Sequence, residues 1–249
     1  MTLHKSGNLG ELNHNHLTTF GRKVMKRHLK IIGPFEPIIS KIKLFILSGI
    51  IAFNYNCEDA STADNNNSSN LLFIASEGNF GQNNGSISVF NEDEKIQELL
   101  NVGDVLQSIL VHDNHLYAIV NGNSEIKRYA ISETGLTLPG ITISTNNSSP
   151  REMCVLNNKL YFSNWNSKDI KVLNLNTFAI EQSIPLNGLP EDITTDGTNL
   201  YASVPHLELY DQGNGTTVVK IDPLTNQIIK IYEVGKGPQH LIIHNDNLF

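Results

Sequence analysis

The sequence predicts an all-β protein, a β-propeller of four-stranded blades, and two observations carry that prediction. A short phrase recurs: Asn70-Leu71-Leu72-Phe73, Asn114-His115-Leu116-Tyr117, Asn158-Lys159-Leu160-Tyr161 and Thr198-Asn199-Leu200-Tyr201, with Asp246-Asn247-Leu248-Phe249 as a fifth copy at the chain end. Its Leu falls at positions 72, 116, 160, 200 and 248, the period of one propeller blade. Each of the first four copies is also followed by an alternating apolar/polar segment, the mark of a half-buried strand.

Those second strands are expected at Ser86–Asn91, Glu125–Ile131, Asp169–Leu175 and Thr217–Asp222. A third, closing strand is expected at Lys95–Val102, Leu138–Ser144, Ala179–Leu186 and Gln227–Val234, with Gly, Asn, Asp and Pro in the turns between. A fourth leads into the phrase: Leu106–Val111, Pro150–Leu156, Pro190–Thr195 and Pro238–Ile243. Pro150, Pro190 and Pro238 each stand ten residues before the Leu of the phrase. A proline at a strand's first position costs no ladder hydrogen bond.

These blades occupy residues 70–249: an incomplete blade at about 70–103, then 104–145, 149–188 and 189–236, and a further incomplete one at 237–249. Residues 1–57 read as an N-terminal extension and secretory leader, and 58–69 as a flexible Asn/Ser-rich tether. The basic stretch Met25–Lys43 precedes the ten-residue apolar run Leu44–Phe53, too short to span a bilayer but suited to a signal peptide. Translation from Met1 and from Met25 both fit this reading. The alternative is a short anchor helix over Ile31–Ile51, which Pro34 and Pro37 interrupt. Cys57 follows the apolar run as the acylated cysteine of a bacterial lipoprotein does, although Asn56 stands where those proteins carry a small residue. The Glu58-Asp59 pair resembles their surface-export signals. The expected location is the cell envelope, as an outer-membrane lipoprotein or as a secreted or periplasmic protein of a bacterium. Membrane attachment is expected only through a lipid on Cys57.

The net charge of −7 argues against a nucleic-acid partner, which needs a basic stripe. Two cysteines, Cys57 and Cys154, make no disulfide framework, and Cys154 is expected in the core.

The order Pro190-Glu191-Asp192-Ile193, Asn199-Leu200-Tyr201, Val218-Val219-Lys220-Ile221-Asp222-Pro223-Leu224-Thr225, Ile231-Tyr232-Glu233-Val234-Gly235 resembles the YVTN-repeat propellers, including the YncE-like proteins. The resemblance covers residues 70–249 and implies that the Pro-led strands are innermost, lining a central channel. It also implies seven blades, against about four here, so the sequence is expected to be the N-terminal part of a longer propeller. A small open array of four blades is the alternative.

With the Pro-led strands at the channel, the two residues after each Pro lie near its mouth: Arg151 and Glu152, Glu191 and Asp192, Gln239 and His240, with Gln107 and Ser108 in the first copy. They fit either a ligand-binding ring or a hydrogen-bonded lining of a wet channel. Trp165 and His206 fall in turns that the resemblance implies face the channel mouth; Trp165 either stacks on a flat ligand or packs between blades, and Phe80 in the loop Gly78–Gly85 has the same two readings. Glu152, Asp192 and His240 occupy equivalent places and could converge on one cation. Glu191 and Asp192, adjacent in a strand, point to opposite faces and cannot share a centre. No nucleophile elbow or phosphate loop is present.

The resulting expectation is a binding protein that holds a small molecule or an envelope protein at the channel mouth. No cofactor or catalytic residue is expected. The resemblance extends to nutrient capture of a corrinoid-like kind. Enzymes of lactonase or quinoprotein dehydrogenase type, and interaction platforms, are the alternatives it implies.

Overall fold

The computed structural model describes residues 70–211, 213–245 and 247–249; the leader, the tether and Cys57 lie outside the described residues. Among these residues there is no helix, and every strand pairing is antiparallel.

The first blade is the three-stranded sheet β1 (Leu71–Ser76), β2 (Ser86–Asn91) and β3 (Glu94–Leu99). The second contains β4 (Leu106–His112), β5 (His115–Val120), β6 (Glu125–Ser132), the two-residue β7 (Gly135–Leu136) and β8 (Ile141–Ser144), with β7 and β8 both paired to β6. The third is β9 (Pro150–Leu156), β10 (Lys159–Asn164), β11 (Asp169–Asn174) and β12 (Ile180–Pro185), in that spatial order. The fourth is β13 (Ile193–Thr195), β14 (Leu200–Val204), β15 (Thr217–Asp222) and β16 (Gln227–Glu233). A short pair, β17 (Ile243–His244) and β18 (Asn247–Leu248), follows.

The recurring phrase has a physical reason at each position. In the second and third copies its Asn completes a two-residue hairpin: Asp113 and Asn114 have φ of 45° and 55°, Asn157 and Asn158 have 52° and 57°. Positive φ at both central residues is the type I′ requirement, which Asn and Asp meet at the least steric cost. The Leu and the aromatic, being neighbours in a strand, point to opposite faces of the sheet. Leu116 packs with Ile87 and Val89 of the preceding blade, while Tyr117 packs with Met153 and Leu160 of the following one. Leu160 packs back on Ile126, and Tyr161 forward on Ile193 and Leu200. Leu200 then packs back on Ile170 and Val172, and Tyr201 forward on Leu241. Each core thus lies between two sheets, and each phrase anchors two of them. Burying one such side chain contributes roughly 1.5–3 kcal/mol.

The Pro-led strands neighbour one another, β9 packing against both β4 and β13. Three expected strand limits are corrected here. The inner strand of the fourth blade starts at Ile193, not Pro190, because Ser203 takes both preceding amides: its carbonyl accepts from Glu191 N and its hydroxyl from Asp192 N. The segment expected as a strand from Pro238 pairs only at Ile243–His244, and the Leu241 amide instead donates to Asp192 Oδ2 at 2.7 Å. The closing strand of the second blade begins at Ile141 rather than Leu138, after a cis Leu138–Pro139 peptide.

Candidate functional site

Ser163 and Ser203 stand at the same place in two blades, three residues after the Leu of the phrase. Each hydroxyl accepts from an inner-strand amide, Glu152 N for Ser163 and Asp192 N for Ser203. Each also reaches the next blade: Ser163 Oγ donates to Glu191 O at 2.6 Å, and Ser203 Oγ to Gln239 O at 3.3 Å. These bonds set the height at which the residues after each Pro leave the inner strands.

At that height Arg151 crosses to the fourth blade. Its Nε and Nη2 donate to the two carboxylate oxygens of Glu191 at 3.0 and 2.8 Å, a bidentate pair with both side chains nearly buried. The guanidinium carbon lies 4.2 Å from the Trp165 ring centroid, a cation–π contact. Trp165 meets the His206 ring edge-on, 5.6 Å between centroids. The Trp165 Nε1 is sealed from solvent with no hydrogen-bond partner among the described residues.

His206 is held by its loop. Asp211 accepts from His206 Nδ1 at 2.8 Å and from the amides of Leu207, Glu208, Gly213 and Asn214. Burial raises the pKa of this carboxyl, but the bonds from Leu207, His206, Glu208 and Gly213 outweigh it and hold the group well below the usual range. The loop leaves Tyr210 at φ 64°, 95% exposed. Beneath it Gly188, at φ 137°, lies where a Cβ would stand 2.5 Å from His206 O, and Leu189 bridges to His206.

Arg151, Trp165, Leu189 and His206 line a cleft of about 740 Å³, completed by Asn121, Ser149, Asn166, Leu209, Tyr210 and Phe80. That volume suits a drug-sized ligand, which such sites typically match at ~300–1,000 Å³. A second hollow, about 540 Å³ and lined by residues such as Tyr129, Leu138 and Pro139, contains none of the channel residues.

The row one residue further on behaves differently. Ser108 Oγ donates to Glu152 Oε2 at 2.6 Å, and His240 Nδ1 lies 3.9 Å from Asp192 Oδ2. Burial pushes the Glu152 carboxyl up to about 7; the Ser108 bond opposes this, Asp192 and Glu191 add to it, and Arg151 opposes it. The row makes neighbouring pairs rather than one centre. Among the described residues no three His, Cys, Asp or Glu side chains gather as metal ligands would, so Glu152, Asp192 and His240 do not converge on a cation. Glu191 and Asp192 do serve opposite neighbours, Arg151 behind and Leu241 ahead.

Gln107 is buried, its Oε1 without a hydrogen-bond partner among the described residues, and Gln239 is exposed, contributing its backbone carbonyl to Ser203. Cys154 is half-buried and packs against the core between the third and fourth blades. Leu189, Leu209, Tyr210 and Asp211 had no signal in the periodicity, lying in connections without alternation. The spacing of Asp211 before Gly213 in a polar loop is the one local hint of a turn built on a side chain.

No protein-family model matches the sequence, and no curated protein matches it. In structure the chain is similar to a protein from Lactobacillus plantarum, with 13% identity and a TM-score of 0.53, covering 70% of this chain and 56% of that one. It is similar to dihydro-heme d1 dehydrogenase NirN, with 14% identity and a TM-score of 0.52, covering 70% of this chain and 38% of that one. It is also similar to BamB from Moraxella catarrhalis, with 15% identity and a TM-score of 0.51, covering 72% and 50%. The chain spans less than two thirds of each of these three. At such identities the likeness shows the fold alone: this chain has the β-propeller fold, here in part.

Proposed function

We propose that this propeller is a binding protein of the bacterial cell envelope, which holds its ligand in the cleft at the ends of the inner strands. The observation that carries this reading is the Arg151–Trp165–His206 cluster, an aromatic pair with a guanidinium over the indole, lining an open cleft. Stacking on such a cluster suits a flat molecule. The leader-like run Leu44–Phe53 and the cysteine after it support export and a lipid anchor at Cys57. The order of motifs supports membership of the YVTN-repeat, YncE-like propellers, and with it nutrient capture of a corrinoid-like kind.

A thermal-shift screen of the full chain against planar cofactors, corrinoids and flavins among them, tests the reading. A saturable rise in melting temperature is expected with at least one, lost in the double variant Arg151→Ala/Trp165→Ala. If the double variant shifts as the parent does, the cleft is not the site.

The exposed rim favours a second reading, a docking platform for an envelope protein. Phe80 is 86% and Tyr210 95% exposed beside a Trp–Arg base, the residue types that dominate protein interfaces. A screen with no small-molecule shift, together with capture of an envelope protein lost in Tyr210→Ala, would favour it.

A further inference from the structure

Asparagine followed by glycine is the dipeptide most open to spontaneous loss of ammonia, because no side chain hinders the glycine nitrogen as it approaches the Asn amide carbon. The chain contains it four times, at Asn84-Gly85, Asn121-Gly122, Asn187-Gly188 and Asn214-Gly215. The reaction asks two things of the fold: an Asn side chain free to turn back along the chain, and a Gly amide held by no acceptor.

Three of the pairs meet neither condition. Gly85 N donates to Gly103 O at 2.9 Å, Gly122 N to Asp104 O at 3.0 Å and Gly215 N to Pro205 O at 2.9 Å. Their asparagines are tied as well. Asn84 Oδ1 accepts from Asn79 N, and Asn121 Nδ2 donates to Pro150 O. Asn214 Nδ2 donates to Asp211 O, while its Oδ1 accepts from Lys236 Nζ. Asn187 differs on both counts. It is exposed, and neither its side chain nor the Gly188 amide has a hydrogen-bond partner among the described residues.

We infer that Asn187 is the position at which this protein deamidates. The Gly188 nitrogen, deprotonated by hydroxide, attacks Asn187 Cγ; the Cγ–Nδ2 bond breaks and ammonia leaves, giving a cyclic imide. Water then opens the ring at either carbonyl. The product is aspartate or, with the main chain rerouted through Cβ and Cγ, isoaspartate, and both carry a new negative charge.

The cleft wall is two residues away. Leu189 lines the cleft, and its amide donates to His206 O at 2.7 Å. Gly188 sits against that same oxygen, with no space for even a Cβ. The extra main-chain atom of isoaspartate therefore has no room at Gly188 and pulls Leu189 away from His206.

Incubating the full chain at pH 8 and mapping its peptides by mass spectrometry tests the assignment. Asn187 is expected to convert at least about ten-fold faster than Asn84, Asn121 or Asn214, the factor that breaking one or two hydrogen bonds first implies. In concentrated urea, where no fold selects among them, the four should convert at similar rates. An isoaspartate-specific methyltransferase should label the aged folded chain, and Asn187→Gln should remove that label. Conversion of any other pair as fast as Asn187 in the folded chain overturns the assignment, as does a label that survives in Asn187→Gln. The converted chain, separated by its added charge, should exchange the Leu189 amide proton faster than the parent. Unchanged exchange there would overturn the coupling to the cleft.

Discussion

Two ion pairs made by residues of the third blade are almost equally buried and do different things. Lys171 Nζ meets Asp169 Oδ2 at 2.7 Å within β11, the residues two apart, with side chains 13% and 4% exposed. The same carboxylate accepts from the hydroxyls of Ser167 and Ser183, so its lone pairs are taken up inside one sheet. Arg151 and Glu191, at 13% and 8%, lie 40 residues apart and join two blades. Here the carboxylate is satisfied by one fork of the guanidinium, whose residue also lines a cleft. Burial does not distinguish a structural charge from a recognition charge; a place beside open space does.

The sharpest way to break the comparison is at Asp169. Asp169→Ala leaves Lys171 and two hydroxyls without their acceptor, and a loss of about 3–5 kcal/mol is expected in urea unfolding. Binding by the fraction that remains folded should be unchanged.

Glu152 supplies the intermediate case, a carboxyl bonded to the neutral Ser108 rather than to a cation. It ionises near 4.5 in the unfolded chain and near 7 in the folded one. Between those values the unfolded state gives up its proton first, so stability falls as pH rises from about 4.5 to 7 and levels off above. Glu152→Gln removes that slope: urea midpoints should match the parent's at pH 4.5, with a gain of about 3 kcal/mol at pH 8.

The smallest effect is expected at Glu191. Glu191→Gln keeps an acceptor for Arg151 but removes the compensating charge, costing about 1.5–3 kcal/mol in urea unfolding. The same change should turn the cleft toward anions, raising the affinity of quinoline-3-carboxylate relative to quinoline-3-carboxamide. An unchanged ratio would mean that Glu191 does not set the cleft's charge preference.

The blades were legible because the phrase serves local and tertiary structure at once, its Asn in the hairpin and its Leu and aromatic in two cores. The strand starting at Pro150 was found because that Pro stands ten residues before the Leu of the phrase. The one expected at Pro190 was overextended because a side chain, Ser203, replaces ladder bonds there, and no periodicity records that. The same limit applies to the site. Arg151, Trp165, Glu191 and His206 could be placed by counting from the repeat, and the structure brings these four together. Leu209 and Tyr210 could not be placed, since the Asp211 carboxylate rather than a strand shapes their loop.

The opposed anchoring of each Leu-aromatic pair also governs how the protein opens. Every interior sheet is glued on both faces, and only to its immediate neighbours. Opening one interior sheet therefore uncovers two cores. Amide protons should exchange slowest around Leu160 and Tyr161 and fastest in the outermost strands, a gradient of local stability written by two adjacent residues.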